Sequence, residues 1–276
     1  MEILNASKNK FNCLVGKDIN IISCEDLISK ENLFEIPCLS DLGFLVVKNV
    51  LDKKLIKSAR DVYFNLFEQG EYKEFNNDWI HLKNHQESHG CKNHPSISFL
   101  KNKAFLNIVN SKLIKKISIK LLNSESTILC PRMIVRSFSN LSERCTYAHR
   151  DKEYFKSFKP KNVITCWIPL GLVGSNNGQL IYLLDSHKRE EEIDKLVNSE
   201  RIISKDFKKL SDSLNLKWYR PIIEIGDVIF HSLEIIHASF DSFSNIPRLS
   251  IDLRFAASED DLDPRWSNEW RGDDGL

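Results

Sequence analysis

Residues 248–255 read Arg-Leu-Ser-Ile-Asp-Leu-Arg-Phe, a strict alternation of polar and apolar side chains. Successive side chains of a β-strand point to opposite faces. Arg248, Ser250, Asp252 and Arg254 therefore share one face, and Leu249, Ile251, Leu253 and Phe255 the other. Four polar groups on one face need solvent or a polar cavity. A chain built from such strands either sets that polar face in water or closes it around a polar cavity, and it packs the apolar face.

The same texture runs from residue 127 onward, in "TILCPRMIVRSF", "NVITCWIPLGL", "GQLIYLL", "YRPIIEI", "DVIFHS" and "IIHASF". Turn signals such as Ser175-Asn176-Asn177-Gly178 and Gly226-Asp227 separate these runs. Residues 187–215 read as a charged insertion of helix and loop. Upstream, "GFLVVKNV" is a strand and Asp52 an N-cap for a helix through "KKLIKSARDVYFNLFEQG". Residues 102–123 have the periodicity of a second amphipathic helix. The expected fold is mainly β with α, a β-sandwich or jelly roll with helices buttressing one sheet. With no linker or repeat, residues 1–276 form one domain: a helical front over 1–125, a jelly-roll core over 126–257 and a tail over 258–276.

Composition narrows the function. Net charge is +1, from 39 basic and 38 acidic residues, which favours neither a nucleic-acid surface nor a polybasic membrane patch. The seven cysteines are scattered with no C-x-x-C, so they are expected as reduced thiols in a cytoplasmic protein rather than a disulfide framework or zinc ribbon. The N-terminus lacks the apolar core of a signal peptide, and no apolar run is long enough to span a membrane.

His149-x-Asp151 places two metal-ligand types at i and i+2, on the same face of an extended strand. His237 lies far downstream on another β-rich run, with Arg248 eleven residues later. Two histidines and one carboxylate with open positions are the facial triad of non-haem Fe(II) oxygenases. An arginine on the following strand suits a bidentate grip on a co-substrate carboxylate. Arg254, on the same face, competes for that role.

The ordered set His149-Arg150-Asp151, Trp167, "NGQL" (177–180), "DSHK" (185–188), Gly226-Asp227, His237-Ala238-Ser239 and Arg248 resembles the phytanoyl-CoA dioxygenase-like branch of the Fe(II)/2-oxoglutarate oxygenases. "GFLVVKNVLDKKLI" is similar to that family's opening. Asp185 stands where the family usually has glycine. The resemblance implies a cupin-like double-stranded β-helix. It implies Fe(II) on His149, Asp151 and His237, with 2-oxoglutarate and O2 as co-substrates. Arg248 then pairs with the distal carboxylate of 2-oxoglutarate, while Ser239, Trp167 and Thr165 lie near the co-substrate. Related halogenases lack the carboxylate ligand, so Asp151 implies hydroxylation. The expected partner is a small-molecule substrate, for a monomer or homodimer that binds neither nucleic acid nor membrane. A catalytically silent binding protein and an oxygenase of macromolecules are the alternatives.

Other residues have open readings. His231 is expected in the barrel wall and His187 in loop structure. "HLKNHQESHGCKNH" (81–94) reads as a substrate-facing lid, with zinc on His81, His85, His89, Cys91 and His94 or a solvated loop as the other readings. Arg132 and Arg136, with Lys83 and His85, hint at a polar or anionic substrate. Trp266 and Trp270 are spaced for one face of a docking helix.

Overall fold

The structure, a computed structural model, describes residues 1–7, 9–30, 38–86, 91–141, 145–155, 162–262 and 264–271. Strands β1 (Glu2–Ala6), β2 (Asn9–Gly16) and β3 (Ile21–Ser23) come first, then helices α1 (Cys24–Ser29) and α2 (Leu39–Leu42), and strand β4 (Phe44–Lys48). Helix α3 (Lys53–Phe64) leads to the hairpin β5 (Tyr72–Phe75) and β6 (Asp78–His81), followed by α4 (Pro95–Phe99), α5 (Lys103–Val109) and α6 (Lys112–Leu122). The second half holds β7 (Ile128–Leu129), β8 (Ile134–Phe138), β9 (Val163–Pro169) and β10 (Leu180–Leu183). It continues through α7 (Glu190–Asp194), α8 (Phe207–Leu214), β11 (Trp218–Pro221), β12 (Val228–Ser232), β13 (His237–Ser239) and β14 (Arg248–Ala256).

Two sheets face each other. The larger runs β3-β4-β12-β9-β14-β7, with β8 also paired to β14, and the smaller runs β1-β2-β11-β10-β13. This is the helix-buttressed jelly roll expected from the sequence. Strand alternation decides what each face meets. Leu45, Val47, Cys166, Ile168, Phe230, Leu249, Ile251, Leu253 and Phe255 pack outward against helical residues such as Ile56, Ala59, Tyr63, Ile114 and Ile117. Each large apolar side chain buried in this layer stabilises the fold by roughly 1.5–3 kcal/mol. The opposite parity, including Phe44, Val46, Trp167 and Ile229, faces the smaller sheet and meets Leu180, Tyr182 and Tyr219.

Local signals explain the junctions. The Asp52 carboxylate accepts from Lys54 N and Leu55 N and starts α3. Gly226 takes φ +104°, and a Cβ there would sit 2.8 Å from Leu51 O. Its carbonyl receives Val50 N and Leu51 N, while Asp227 accepts from Asn49 N and pairs with Lys48. The Gly-Asp step thus clamps the end of β4 to the start of β12.

Several expectations are corrected. The front is not simply helical: β1 and β2 extend the smaller sheet, and β3 and β4 the larger. Residues 102–123 form two helices, because Asn110 closes α5 and the Ser111 hydroxyl accepts from Ile114 N to start α6. Trp266 and Trp270 are buried, but 264–271 form a turn and extended chain rather than a helix. On either side of the histidine-rich stretch 81–94, Trp79 and Phe99 join the outer core, and His81 N donates to Asn245 O. All seven cysteines are free thiols. Among the described residues no helix is long and apolar enough to cross a membrane.

Candidate functional site

His149 and His237 are cross-strand neighbours. His149 N donates to His237 O (3.1 Å) and His237 N to His149 O (3.0 Å), which brings the two rings to 4.3 Å between centroids. Arg150 is extended (φ −113°, ψ 143°), so Asp151 returns to the face of His149. The Arg150 side chain leaves on the other side, bound to Glu153 and, at 2.6 Å, to Asp194. The i, i+2 spacing therefore does what strand geometry requires, just before the chain enters a 3-10 turn over Asp151–Tyr154.

The ring orientations are fixed by backbone. His149 Nδ1 lies 2.8 Å from Tyr147 O and His237 Nδ1 3.1 Å from Ile235 O. A carbonyl only accepts, so each Nδ1 carries the proton and each Nε2 presents a lone pair. These nitrogens stand 3.8 Å and 3.7 Å from Asp151 Oδ1. One atom from each of the three residues lies within 4.8 Å of the others, a set able to hold a metal ion. Burial pushes both imidazole pKa values down, His237 further because His149 and His231 adjoin it. The rings are thereby kept neutral, as ligands must be. Burial alone raises the pKa of Asp151, but the Arg254 guanidinium, with His231 and His237, holds it well below the usual carboxylate range.

The other oxygen of Asp151 has its own partners. Oδ2 accepts from Thr165 Oγ1 (2.5 Å) and from an Arg254 Nη (3.0 Å), and His231 Nε2 lies 3.5 Å away. The Tyr182 hydroxyl meets His231 Nδ1 at 3.0 Å. Trp266 covers the Arg254 guanidinium, with the guanidinium carbon 4.3 Å from its ring. Three sequence expectations change here. The Thr165 hydroxyl is donated to Asp151 rather than left for a co-substrate. His231 is more than wall, since its Nε2 lies 3.5 Å from the Asp151 carboxylate. Arg254 is engaged with Asp151. The strand parities of Thr165, His231 and Arg254 were all readable; that their strands converge on one oxygen was not.

Arg248 sits at the other end of the same interior face. It is buried, 4.5 Å from the Phe138 ring centre and 5.9 Å from that of Trp167, and donates to Gly178 O at 2.5 Å. Gly178 is at φ +68°, where a Cβ would lie 2.9 Å from Phe240 O, so the Asn-Gly step lets the two loops touch. Arg248 forms no ion pair among the described residues, and its Nε and the neighbouring Ser250 Oγ lack hydrogen-bond partners in the protein. Burial lowers its pKa. A buried cation beside orphaned donors fits an incoming carboxylate. Ser239 is buried with its Oγ accepting from Thr146 N at 2.7 Å, and Trp167 is interior wall.

The remaining candidates are structural. His187 Nε2 donates to Asp41 O (3.0 Å), and Asp185 occupies the left-handed region at φ +61°, so it keeps the backbone a glycine would adopt. His81 lies between Ser139 Oγ and Lys83 O, His85 pairs with Glu71 at 3.0 Å, and His94 Nδ1 caps α4. Among the described residues only His149, Asp151 and His237 are arranged for a metal, so the zinc reading is not supported; His89 lies outside them.

Residues 40–250 match the phytanoyl-CoA dioxygenase (PhyH) family. No curated protein sequence matches the chain. Among solved structures the chain is similar to SnoK, a non-heme alpha ketoglutarate dependent carbocyclase from nogalamycin biosynthesis, at 16% identity and TM-score 0.58, covering 85% of this chain and 86% of that one. EctD from S. alaskensis in its apoform is 13% identical with TM-score 0.57 over 97% and 88% of the two chains. The epimerase SnoN, in complex with Fe3+, alpha ketoglutarate and nogalamycin RO, is 16% identical with TM-score 0.54 over 78% of each. At these identities the likeness is one of fold. The match in sequence spans most of the chain and takes in the whole His-Asp-His arrangement, and the chain belongs to the phytanoyl-CoA dioxygenase family of Fe(II)- and 2-oxoglutarate-dependent oxygenases.

Proposed function

We propose that the protein hydroxylates a small polar metabolite, with Fe(II) held by His149, Asp151 and His237. The observation that carries this reading is the pair of imidazoles held through Nδ1 by backbone carbonyls, with the Nε2 atoms 3.8 Å and 3.7 Å from Asp151 Oδ1. Two neutral nitrogens and one carboxylate oxygen suit Fe(II) and leave positions for other ligands. When bound, the iron supplies oxygen chemistry: O2 and 2-oxoglutarate are consumed, a substrate C–H becomes C–OH, and succinate and CO2 are released.

The chain's own residues do the rest. Thr165 and Arg254 hold Asp151 Oδ2, so the carboxylate presents Oδ1 and does not swing. Arg248 takes the distal carboxylate of 2-oxoglutarate, and Trp167 and Phe138 flank that guanidinium. Burial of the whole face excludes water from the reacting centre. The retained carboxylate at 151 supports hydroxylation. The neighbours include a carbocyclase and an epimerase, so the outcome of the reaction is the point to test.

Anaerobic titration with Fe(II), followed by 2-oxoglutarate consumption under O2, tests the reading. His149→Ala, Asp151→Ala and His237→Ala should each lose bound iron and succinate formation. Full iron binding in any one of them removes that residue from the site. A product without an added oxygen atom overturns hydroxylation while leaving the iron site standing.

A further inference from the structure

His231, Thr165 and Arg254 form one cross-strand row. His231 and Arg254 are the Cα partners of Thr165 on its two sides, so β12, β9 and β14 bring the three side chains onto the inner face of the larger sheet in register. Thr165 and Arg254 each donate a hydrogen bond to Asp151 Oδ2. His231 completes the row differently. Its Nε2 is 3.5 Å from Oδ2, slightly long for a hydrogen bond, and has no other partner among the described residues.

The ring is met from the smaller sheet. Tyr182 on β10 is the Cα partner of His237 on β13, so the two share the inner face. Alternation sends Ile181 and Leu183 to the opposite side, where they pack with Phe207, Leu210 and Leu214 of α8. The Tyr182 ring stacks on Phe44 at 4.3 Å with an interplanar angle of 3°, and its hydroxyl meets His231 Nδ1 at 3.0 Å. The His231 ring lies 4.6 Å from that of His237. Tyr182 and His231 therefore link the two sheets immediately beside the candidate metal ligands.

Hydrogen-bond chemistry gives this link a direction. A neutral imidazole has one N–H and one lone pair, a phenol both donates and accepts, and a carboxylate only accepts. With the proton on Nδ1, the Nε2 lone pair would face the Asp151 carboxylate, and a buried polar atom would stay without a donor. With the proton on Nε2, the N–H points to Oδ2 and Nδ1 accepts from Tyr182. This is the reverse of His149 and His237, whose Nδ1 atoms face backbone carbonyls. Neighbouring rings thus take opposite tautomers, two presenting lone pairs to a metal and one presenting a proton to the carboxylate that shares it.

We infer that Tyr182 and His231 are positioning residues for the metal-binding carboxylate: Tyr182 donates to His231 Nδ1, and the Nε2–H fixed in this way faces Asp151 Oδ2 and leaves Oδ1 for the metal. This rests on the oxygenase reading above and adds to it how the carboxylate is oriented from the smaller sheet.

The first test reads the tautomer in the full, metal-free chain. Long-range proton–nitrogen correlation NMR on protein with labelled histidine distinguishes the Nδ1–H, Nε2–H and imidazolium forms, and His231→Gln assigns the His231 signals by their loss. His231 should be the Nε2–H form. Tyr182→Phe, which deletes one hydroxyl and keeps a ring on Phe44, should abolish that preference. An Nδ1–H ring or an imidazolium at His231 in the unsubstituted protein overturns the inference. The second test titrates Mn(II) alone by calorimetry. Tyr182→Phe should weaken binding about tenfold, as losing a partner of a metal ligand does. His231→Gln places an amide donor near Oδ2 that needs no help from Tyr182, so adding Tyr182→Phe in that background should cost nothing further. Unchanged Mn(II) affinity in Tyr182→Phe, or the same loss in both backgrounds, overturns the inference as well. Mn(II) that fails to bind the unsubstituted protein, or binds Asp151→Asn equally well, counts instead against the oxygenase reading, which the tautomer measurement does not touch.

Discussion

Replacing Arg254 with methionine removes a guanidinium from the Asp151 carboxylate while keeping much of the volume under Trp266. The pair is 3.0 Å apart, with side chains 5% and 3% exposed, so solvent screens it little. At an effective dielectric constant near 20 the gross attraction over that distance is about 5 kcal/mol. Removing one partner of a buried pair costs about 3–5 kcal/mol, because the other charge stays buried. Thr165 and His231 remain beside Oδ2 and soften the loss. The metal-free variant should therefore be about 3 kcal/mol less stable. A bound dication on the other oxygen restores the missing positive charge, so saturating Mn(II) should shrink the deficit. The assay is urea unfolding at pH 7 after metal removal, repeated with Mn(II). A cycle with Asp151→Asn isolates the pair. A deficit below about 1 kcal/mol in the metal-free protein, or a coupling near zero, refutes the argument that Arg254 serves Asp151.

Arg248→Ala should raise the 2-oxoglutarate dissociation constant by an amount equivalent to roughly 2–5 kcal/mol while Fe(II) still binds; the same effect in Arg254→Ala, and not in Arg248→Ala, would exchange their roles. His94 gives a pH prediction. Burial, with His85 adding, pushes its pKa down to about 4 from the usual 6.5. The unfolded chain thus takes up the proton first, so stability is full above pH 6.5 and falls as pH drops toward 4, by up to about 3 kcal/mol. Acid unfolding curves should show this fall and His94→Gln should flatten it; identical curves would place the pH dependence elsewhere.

What the sequence discloses is largely parity. The alternation of residues 248–255 is realised side chain by side chain: Leu249, Ile251, Leu253 and Phe255 lie in the outer core, and Arg248 and Arg254 face the interior. That His149, Asp151 and His237 come together was readable because each sits in a motif of fixed order. Their support was not. Thr165, His231 and Arg254 meet at one oxygen only because β12, β9 and β14 are adjacent, and adjacency is a property of topology rather than spacing. The β1–β2 hairpin also went unrecognised, although Leu4, Ala6, Phe11 and Cys13 alternate toward one cluster. Its strands carry three asparagines and a lysine, which dilute a β signal. The histidine-rich segment carried no such signal, because residues four apart share one face only on a helix, whereas His81 ends β6 and His94 caps α4.

Trp266 lies outside the matched family segment, yet it touches the metal site at one remove. Its ring covers Arg254, stacks on Phe155 at 4.9 Å, and its Nε1 donates to Tyr154 O at 3.2 Å. An indole plate over a guanidinium keeps water from that side, and a drier ion pair is a stronger one. The segment carrying Trp266 thereby shields the ion pair that holds Asp151. Metal affinity becomes adjustable without any change to a ligand: a smaller residue at 266 would admit solvent, loosen the grip on Oδ2 and leave all three metal-facing atoms in place. The tail is in this sense a tuning element, and the functional unit is larger than the segment that carries the family's motifs.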